Sequence, residues 1–240
     1  MNTNICLICL RPRKVWLDFF AGFKDYAVFF IIDDNSVDYV DLYKTDYPSL
    51  RFIQVHNKSA NFIDKDFPNE ILTGWHKALY YFSTENLDYY NTWFMEDDVF
   101  FHDENTIKNI DIKYPNSDCL TNATTLYDAS EPAWHWYKIT MKYDLPWYNA
   151  MVCATRLSKN MLSKIKEYAE TYGTLFFIEA MFPTLAIKNN LVYDTPSELE
   201  NIYYRDEIDL TSVRTDKLYH PMKNLDIYDE LREQISRSAP

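Results

Sequence analysis

The sequence predicts an α/β fold, a single domain with a mainly parallel central sheet flanked by helices. Three observations carry that prediction. Apolar runs of strand length alternate with segments of helical apolar spacing through the first half of the chain. Two of those runs stop abruptly in polar clusters, at Asp33-Asp34-Asn35 and at Glu96-Asp97-Asp98, as strands do when their carboxyl ends open on a crevice. No repeat, low-complexity tract or linker divides the 240 residues, a length that suits one large domain.

The elements follow in order. Ile5 to Leu10 reads as a first buried strand and Lys14 to Phe23 as a short helix. Tyr26 to Ile32, rich in aromatic and β-branched residues, is a second strand, and Leu50 to Val55 a third. A helix over Thr73 to Thr84 places Trp75, Leu79 and Phe82 on one face, and Thr92 to Met95 is the fourth strand. Strands separated by helices imply right-handed β-α-β crossovers. Beyond them, Asp118 to Thr121 and Asn149 to Thr155 read as strands around an aromatic-rich loop. Ser158 to Thr171 reads as a helix with Ser158 as N-cap. Phe176 to Lys188 reads as a buried helix that Pro183 should kink or open. Leu191 to Tyr193 is a short strand, and the tail from Asp226 a surface helix.

Composition narrows the function. The chain is 47% hydrophobic, 25% charged and 17% aromatic, with 20 Tyr and only three Gly. It carries no G-x-G-x-x-G and no P-loop, so any phosphate must be held by a metal and side chains. A formal charge of −12 argues against binding a nucleic-acid backbone. A nucleotide held through a cation stays compatible with it. Four cysteines, at 6, 9, 119 and 153, suit a reducing compartment. Cys6 and Cys9 match C-x-x-C but would face opposite sides of a strand, which reads as small buried residues rather than a redox pair or zinc knuckle. No run reaches membrane length or resembles a secretory leader, and the expected location is cytoplasmic.

The run Thr92 to Phe101 is the most informative. Three adjacent acids between two apolar stretches would be unstable in a dry core unless paired, hydrogen-bonded or bound to a cation. At the end of a central strand, such hard oxygen ligands suit Mg²⁺ or Mn²⁺ carrying a diphosphate; the alternative is a solvated acidic turn. Strand alternation puts Glu96 and Asp98 on one side and Asp97 on the other.

These residues resemble a GT-A glycosyltransferase. A first β-α-β unit ending in Asp33-Asp34-Asn35, the helix segment Trp75-His76-Lys77-Ala78-Leu79 and the motif Phe94-Met95-Glu96-Asp97-Asp98 carry the likeness. So does the late stretch Tyr219-His220-Pro221-Met222-Lys223. The chain looks similar to the small soluble glycosyltransferases of large DNA viruses and some bacteria. The resemblance implies a single GT-A, Rossmann-like domain, with 1–101 as the nucleotide-sugar-binding half and 102–240 as the acceptor-binding half and tail. It implies an acid motif of the DxD kind, with Glu in the first place, in which Asp98 is the metal ligand. It makes His220 the second metal ligand.

Nucleotide contacts then fall to Glu96, through water or the ribose, to Asp97 as an orienting group, and to Lys223 against the diphosphate. Asp33 and Asp34 would meet the base or ribose, although Asp-Asp-Asn-Ser is also good turn chemistry. Arg11 and Lys77 would line the crevice, or be ordinary surface cations. Glu179, a charge among Phe176 to Phe182, is the candidate base, since burial raises a carboxylate toward a useful pKa; a helix N-terminal Glu favoured by the macrodipole is the plainer reading. Ala180 departs from the acid pair that the resemblance would lead one to expect there. Trp134, Trp136, Trp147 and Tyr148 offer an acceptor platform or a lid over the core.

The function expected is metal-dependent transfer of a hexosyl or deoxyhexosyl group from a nucleotide diphosphate donor, a UDP-sugar, to a glycan hydroxyl with inversion. The alternatives are a sugar nucleotidyltransferase, disfavoured by the lack of a Gly-rich basic loop after the first strand, and a non-catalytic carbohydrate-binding protein.

Overall fold

The structure is a computed structural model and describes residues 2–56, 62, 72–128 and 142–238. Its strands and helices are β1 (Thr3–Cys9), α1 (Lys14–Ala21), β2 (Ala27–Ile32), α2 (Tyr39–Tyr43), β3 (Leu50–Gln54), α3 (Gly74–Thr84) and β4 (Asn91–Glu96). There follow α4 (Glu104–Lys113), β5 (Cys119–Leu120), β6 (Thr125–Tyr127), β7 (Trp147–Asn149), β8 (Ala154–Ser158), α5 (Lys159–Tyr172) and α6 (Ile178–Lys188). The chain ends with β9 (Tyr193–Asp194), β10 (Asn201–Ile202), β11 (Tyr219–His220) and α7 (Tyr228–Ser238).

Seven strands form the central sheet in the order β3-β2-β1-β4-β8-β5-β9. The first four pair in parallel, β8 runs antiparallel to both its neighbours, and β5 and β9 are parallel. The mainly parallel α/β domain read from the sequence is therefore observed. Alternation along β1 sends Ile5, Leu7 and Cys9 into one core layer and Cys6 and Ile8 into the other. Helices α1, α4 and α7 cover the first layer, and α3, α5 and α6 the second. All four cysteines are buried and free, with Cys6 and Cys9 on opposite faces. No described helix is long and apolar enough to cross a membrane.

Several boundaries differ from the sequence reading for identifiable reasons. The strand expected over Asn149 to Thr155 is two elements. Trp147–Asn149 pairs with β6 in a small separate sheet, and the main sheet begins again at Ala154. Between them the Ala150 N–H is taken by the Glu179 carbonyl at 3.0 Å and the Met151 N–H by Asn122 Oδ1 at 2.9 Å. Pro183 lies in the interior of α6. Its missing N–H would have served the Glu179 carbonyl four residues back, and the Ala150 N–H satisfies that oxygen instead. The short strand expected over Leu191 to Tyr193 lies at Tyr193–Asp194.

Helix α4 escapes the sequence pattern because its buried stripe is narrow, and includes Asp111 beside Thr106, Ile107 and Ile110. Asp103 caps it, accepting the Thr106 N–H at 3.1 Å. Ser158 does cap α5 as expected, accepting the Met161 N–H at 3.0 Å, and Gly173 ends that helix at φ 67°. The tail helix α7 docks instead of lying free on the surface. Tyr228 is fully buried, its hydroxyl bonds the Met222 carbonyl at 2.5 Å, and Arg232 stacks over Phe19 at 3.6 Å.

β8 brings a charge into the core. Arg156 is 0% exposed and its guanidinium meets Asp111 at 2.6 Å, while Asp111 also accepts from the Trp93 indole at 3.0 Å and the Tyr26 hydroxyl at 2.7 Å. Removing one partner of a buried pair strands the other. Asp111→Ala should therefore lower stability by about 3–5 kcal/mol, read as a lower urea midpoint. The double variant Asp111→Ala, Arg156→Met should recover part of that loss, and an Asp111→Ala chain as stable as the parent would contradict this account.

Candidate active site

β4 ends at Glu96, and Asp97 and Asp98 lie in a turn closed by the Val99 N–H on the Glu96 carbonyl at 3.1 Å. The acids are thus a turn and a cluster at once. Glu96 Oε2 and Asp98 Oδ1 both face His220 Nε2, at 3.5 and 3.1 Å. The backbone fixes that meeting. Phe100 and Tyr219 exchange both N–H···O bonds at 2.9 Å, and the Met222 N–H reaches the Asp98 carbonyl at 2.8 Å. The His220–Pro221 peptide between these ties is cis. Lys223, next after Met222, is exposed.

His220 is buried and its Nδ1 lies 2.6 Å from the Tyr203 carbonyl, so Nδ1 donates there and Nε2 faces the acids. Burial alone would lower its pKa. Hydrogen bonds with Asp98, Cys153 and Glu96 outweigh that and push it up to about 12. The protonated ring counterbalances the carboxylates, a place that a divalent cation would take. Two carboxylates and an imidazole oriented through its other nitrogen fit such an ion. The Asp97 backbone carbonyl accepts from the Trp16 indole at 2.8 Å. Burial, then the charges of Asp98 and Glu96, push its carboxyl up to about 6, while Arg13 pulls it down.

Asp33 and Asp34 stand on the same carboxyl edge of the sheet. Ile8 in β1 is flanked by Ile31 on one side and Glu96 on the other, and the Asp33 and Asp34 N–H groups bond the Cys9 and Leu10 carbonyls at 2.9 and 3.1 Å. Lys77 is 1% exposed and grips Asp33 twice, at Oδ1 (2.6 Å) and at its carbonyl (2.8 Å), so it is a buried anchor rather than a surface cation. Arg11 is exposed and pairs with Asp34 at 2.6 Å. The Ser36 N–H, the Tyr39 hydroxyl and Arg11 hold the Asp34 carboxyl well below the usual carboxylate range. Asp33, Asp34, Ser36, His56, Leu72 and Lys77 help to line an open cleft of ≈ 680 Å³. Glu96, Asp98 and His220 are not among its described lining residues.

Glu179 is half-buried in the first turn of α6, not sealed in the apolar run around it. Its backbone carbonyl accepts the Ala150 N–H at 3.0 Å, on the segment that leads to Cys153. Trp147 and Tyr148 are half-buried in β7, the Trp147 indole donating to the Tyr143 carbonyl at 2.8 Å. Trp134 and Trp136 lie outside the described residues.

Three contributors had no sequence signal. The Trp75 indole donates to Glu96 Oε1 at 2.7 Å and fixes that carboxylate, a contact that neither its place on an apolar face nor its place in the family-like segment reported. Tyr203 orients His220 through a backbone carbonyl, which no side-chain pattern reports. Cys153 Sγ lies within 4.8 Å of ligand atoms on Glu96 and His220. It arrives through a cross-strand contact, the Glu96 N–H on the Cys153 carbonyl at 2.9 Å.

Comparison with solved structures places the architecture. The chain is similar to the galactosyltransferase LgtC in complex with donor and acceptor sugar analogs (TM-score 0.53, 11% identity, 99% of this chain and 97% of that one). It is similar also to 2-C-methyl-D-erythritol 4-phosphate cytidylyltransferase from Thermus thermophilus (TM-score 0.50, 8% identity, 97% of this chain and 100% of that one). No protein-family model matches the sequence, and no curated protein matches it. The fold is the GT-A, Rossmann-like α/β fold that the motifs led one to expect.

His76 precedes Lys77 in the first turn of α3. Its Nδ1 accepts the Thr73 N–H at 3.0 Å and faces the Thr73 hydroxyl at 2.9 Å, closing the N-terminus of α3. Gly74 beside it allows close approach, because a Cβ there would stand 2.7 Å from Ile8 Cγ2. Burial lowers the His76 pKa from 6.5 to about 4, with Asp33 opposing the shift. A depressed folded value means the contribution is fully present above pH 6.5 and is lost as pH falls toward 4. The loss is on the order of 3 kcal/mol. His76→Gln should therefore melt with a flatter profile between pH 7 and 4 than the parent; parallel profiles would rule this origin out.

Proposed function

We propose that this chain is a metal-dependent glycosyltransferase, moving a sugar from a nucleotide diphosphate donor, a UDP-sugar, to a hydroxyl of a glycan acceptor. The observation that carries the proposal is the convergence of Glu96, Asp98 and His220 at the carboxyl edge of the sheet that also bears Asp33 and Asp34. Ligands of open α/β sheets bind at that edge. Mn²⁺ or Mg²⁺ held by Asp98 and His220, with Glu96 bound directly or through water, would supply charge neutralisation for the leaving diphosphate.

The protein's own groups supply the rest. Trp75 holds one Glu96 oxygen and leaves the other toward His220, so the pair is oriented before any ligand arrives. The cleft of ≈ 680 Å³ bounded by Asp33 and Asp34 is of the size of small-molecule sites. Lys77 fixes Asp33, leaving its carboxylate an acceptor for base or ribose donors, and Arg11 fixes Asp34 in the same way. Lys223 offers a mobile cation to the diphosphate. Glu179, on the acceptor side near Cys153, takes the acceptor's proton in a single inverting displacement. Residues 102–240 would form the acceptor half, with Trp147 and Tyr148 stacking on sugar rings.

LgtC is described as bound to donor and acceptor sugar analogs, which agrees with this reading, whereas the cytidylyltransferase likeness favours nucleotidyl transfer. The link between β1 and α1 spans only residues 10–13 and carries no glycine. That is a poor cradle for a triphosphate and favours sugar transfer. The products discriminate: glycosyl transfer releases a nucleoside diphosphate from a sugar nucleotide, and nucleotidyl transfer releases pyrophosphate from a nucleoside triphosphate and a sugar phosphate.

Two variants test the assignments. UDP should raise the melting temperature of the parent only with Mn²⁺, and Asp98→Ala should abolish that rise while still folding. An undiminished rise in the variant would remove Asp98 from the metal. Glu179→Gln should cut transfer by roughly two to four orders of magnitude and leave UDP affinity unchanged. NMR of the product should show the anomeric configuration opposite to the donor's. Retention would overturn the single displacement, and normal turnover of Glu179→Gln would move the base elsewhere.

A further inference from the structure

Beside the carboxylates and imidazole of the acid cluster stands a fourth donor that glycosyl transfer does not call for. Cys153 Sγ, a carboxylate oxygen of Glu96 and a ring nitrogen of His220 all lie within 4.8 Å of one another. No other group of three or more such side chains is found among the described residues. The thiol is 7% exposed, makes no disulfide, and is held in place by the Glu96 N–H on its own carbonyl at 2.9 Å. The two fixed members around it are oriented from outside the cluster. Trp75 holds the far oxygen of Glu96, and Tyr203 the far nitrogen of His220.

We propose that Cys153 is a ligand of the bound cation, so that the site takes a thiophilic divalent ion such as Zn²⁺ or Co²⁺ in preference to Mg²⁺. The inference rests on the reading above that a cation sits at Glu96 and His220. Bonds of about 2.0–2.3 Å put the ligand atoms of a tetrahedral ion roughly 3.3–3.8 Å apart. The His220 to Glu96 separation, 3.5 Å, is already in that range and the one to Asp98, 3.1 Å, is just below it. Cys153 Sγ, within 4.8 Å of the Glu96 and His220 ligand atoms, stands where it can join them on one ion. As the ion binds, the Cys153 thiol and the His220 Nε2–H each give a proton to solvent, because thiolate and neutral imidazole are the ligating forms. One sulfur, one imidazole and carboxylate oxygen make a borderline-soft set, which hydrated Mg²⁺ does not favour and Zn²⁺ or Co²⁺ does.

Cobalt reports sulfur ligation directly. Metal-stripped protein titrated with Co²⁺ under reducing conditions should develop a near-ultraviolet sulfur-to-cobalt charge-transfer band together with visible ligand-field bands. Cys153→Ser should lose the first and keep the second, and Cys9→Ala should keep both. The same serine variant should lose Zn²⁺ affinity by more than the roughly tenfold to hundredfold that an indirect partner is worth, with Mn²⁺ affinity changed much less. Should the serine variant fail to fold, the parent's spectrum still decides, since a ligand-field band without charge transfer means cobalt bound without sulfur. That result overturns the role of Cys153 and leaves the cation reading intact. No uptake of Co²⁺, Zn²⁺ or Mn²⁺ by the parent overturns both.

Discussion

Three adjacent carboxylates lie between Trp93–Met95 and Val99–Phe101, two stretches with no exposure at all, and the site is organised around that charge. Left to themselves, the acids would pull this end of β4 into water and take the flanking aromatics with them. They are instead opposed by a histidine delivered from more than a hundred residues away. The delivery is backbone work: the Phe100–Tyr219 pair and the Met222 bond to Asp98 lock the returning chain against the turn. Helix α7 then seals the back, with Tyr228 on the Met222 carbonyl and Arg232 on that of Phe101. The C-terminal third is therefore part of the acid site.

This dependence explains what could be read from the sequence and what could not. The acid clusters were legible because strand period and strand ends are local properties, and the open α/β rule then puts both on one edge. His220 was legible through its resemblance. Lys77 read equally well as a surface cation, because its partner Asp33 is far away in sequence and only β1 and α3 packing brings them together. Helix α4 was missed for a related reason. Its stripe counts Asp111 as an inside residue, and a pattern of apolar spacing cannot credit a carboxylate whose arginine lies in β8. Cys153 read only as one of four cysteines suited to a reducing compartment; what distinguishes it is the strand opposite, which no local window contains.

The antiparallel strand β8 does more than extend the sheet. Because it runs against β4, the residue that leads into it, Cys153, lies beside the leaving end of β4, Glu96. A parallel strand in that position would have set its starting residues at the far edge, away from the acids. The same reversal feeds the chain from β8 into α5 and then α6, whose first turn takes the Ala150 N–H on the Glu179 carbonyl.

Pro183 completes that argument. A proline inside a helix leaves a carbonyl four residues earlier without its donor, and here that carbonyl belongs to Glu179. The Ala150 N–H, on the segment leading to Cys153, takes the bond at 3.0 Å. An exposed water would have satisfied the oxygen as well, but would have tied Glu179 to nothing. The interior proline thus converts a helix defect into a fixed tie between α6 and the segment that leads to Cys153. The sequence feature that looked like a break in a buried helix is what fixes the backbone of Glu179 against that segment.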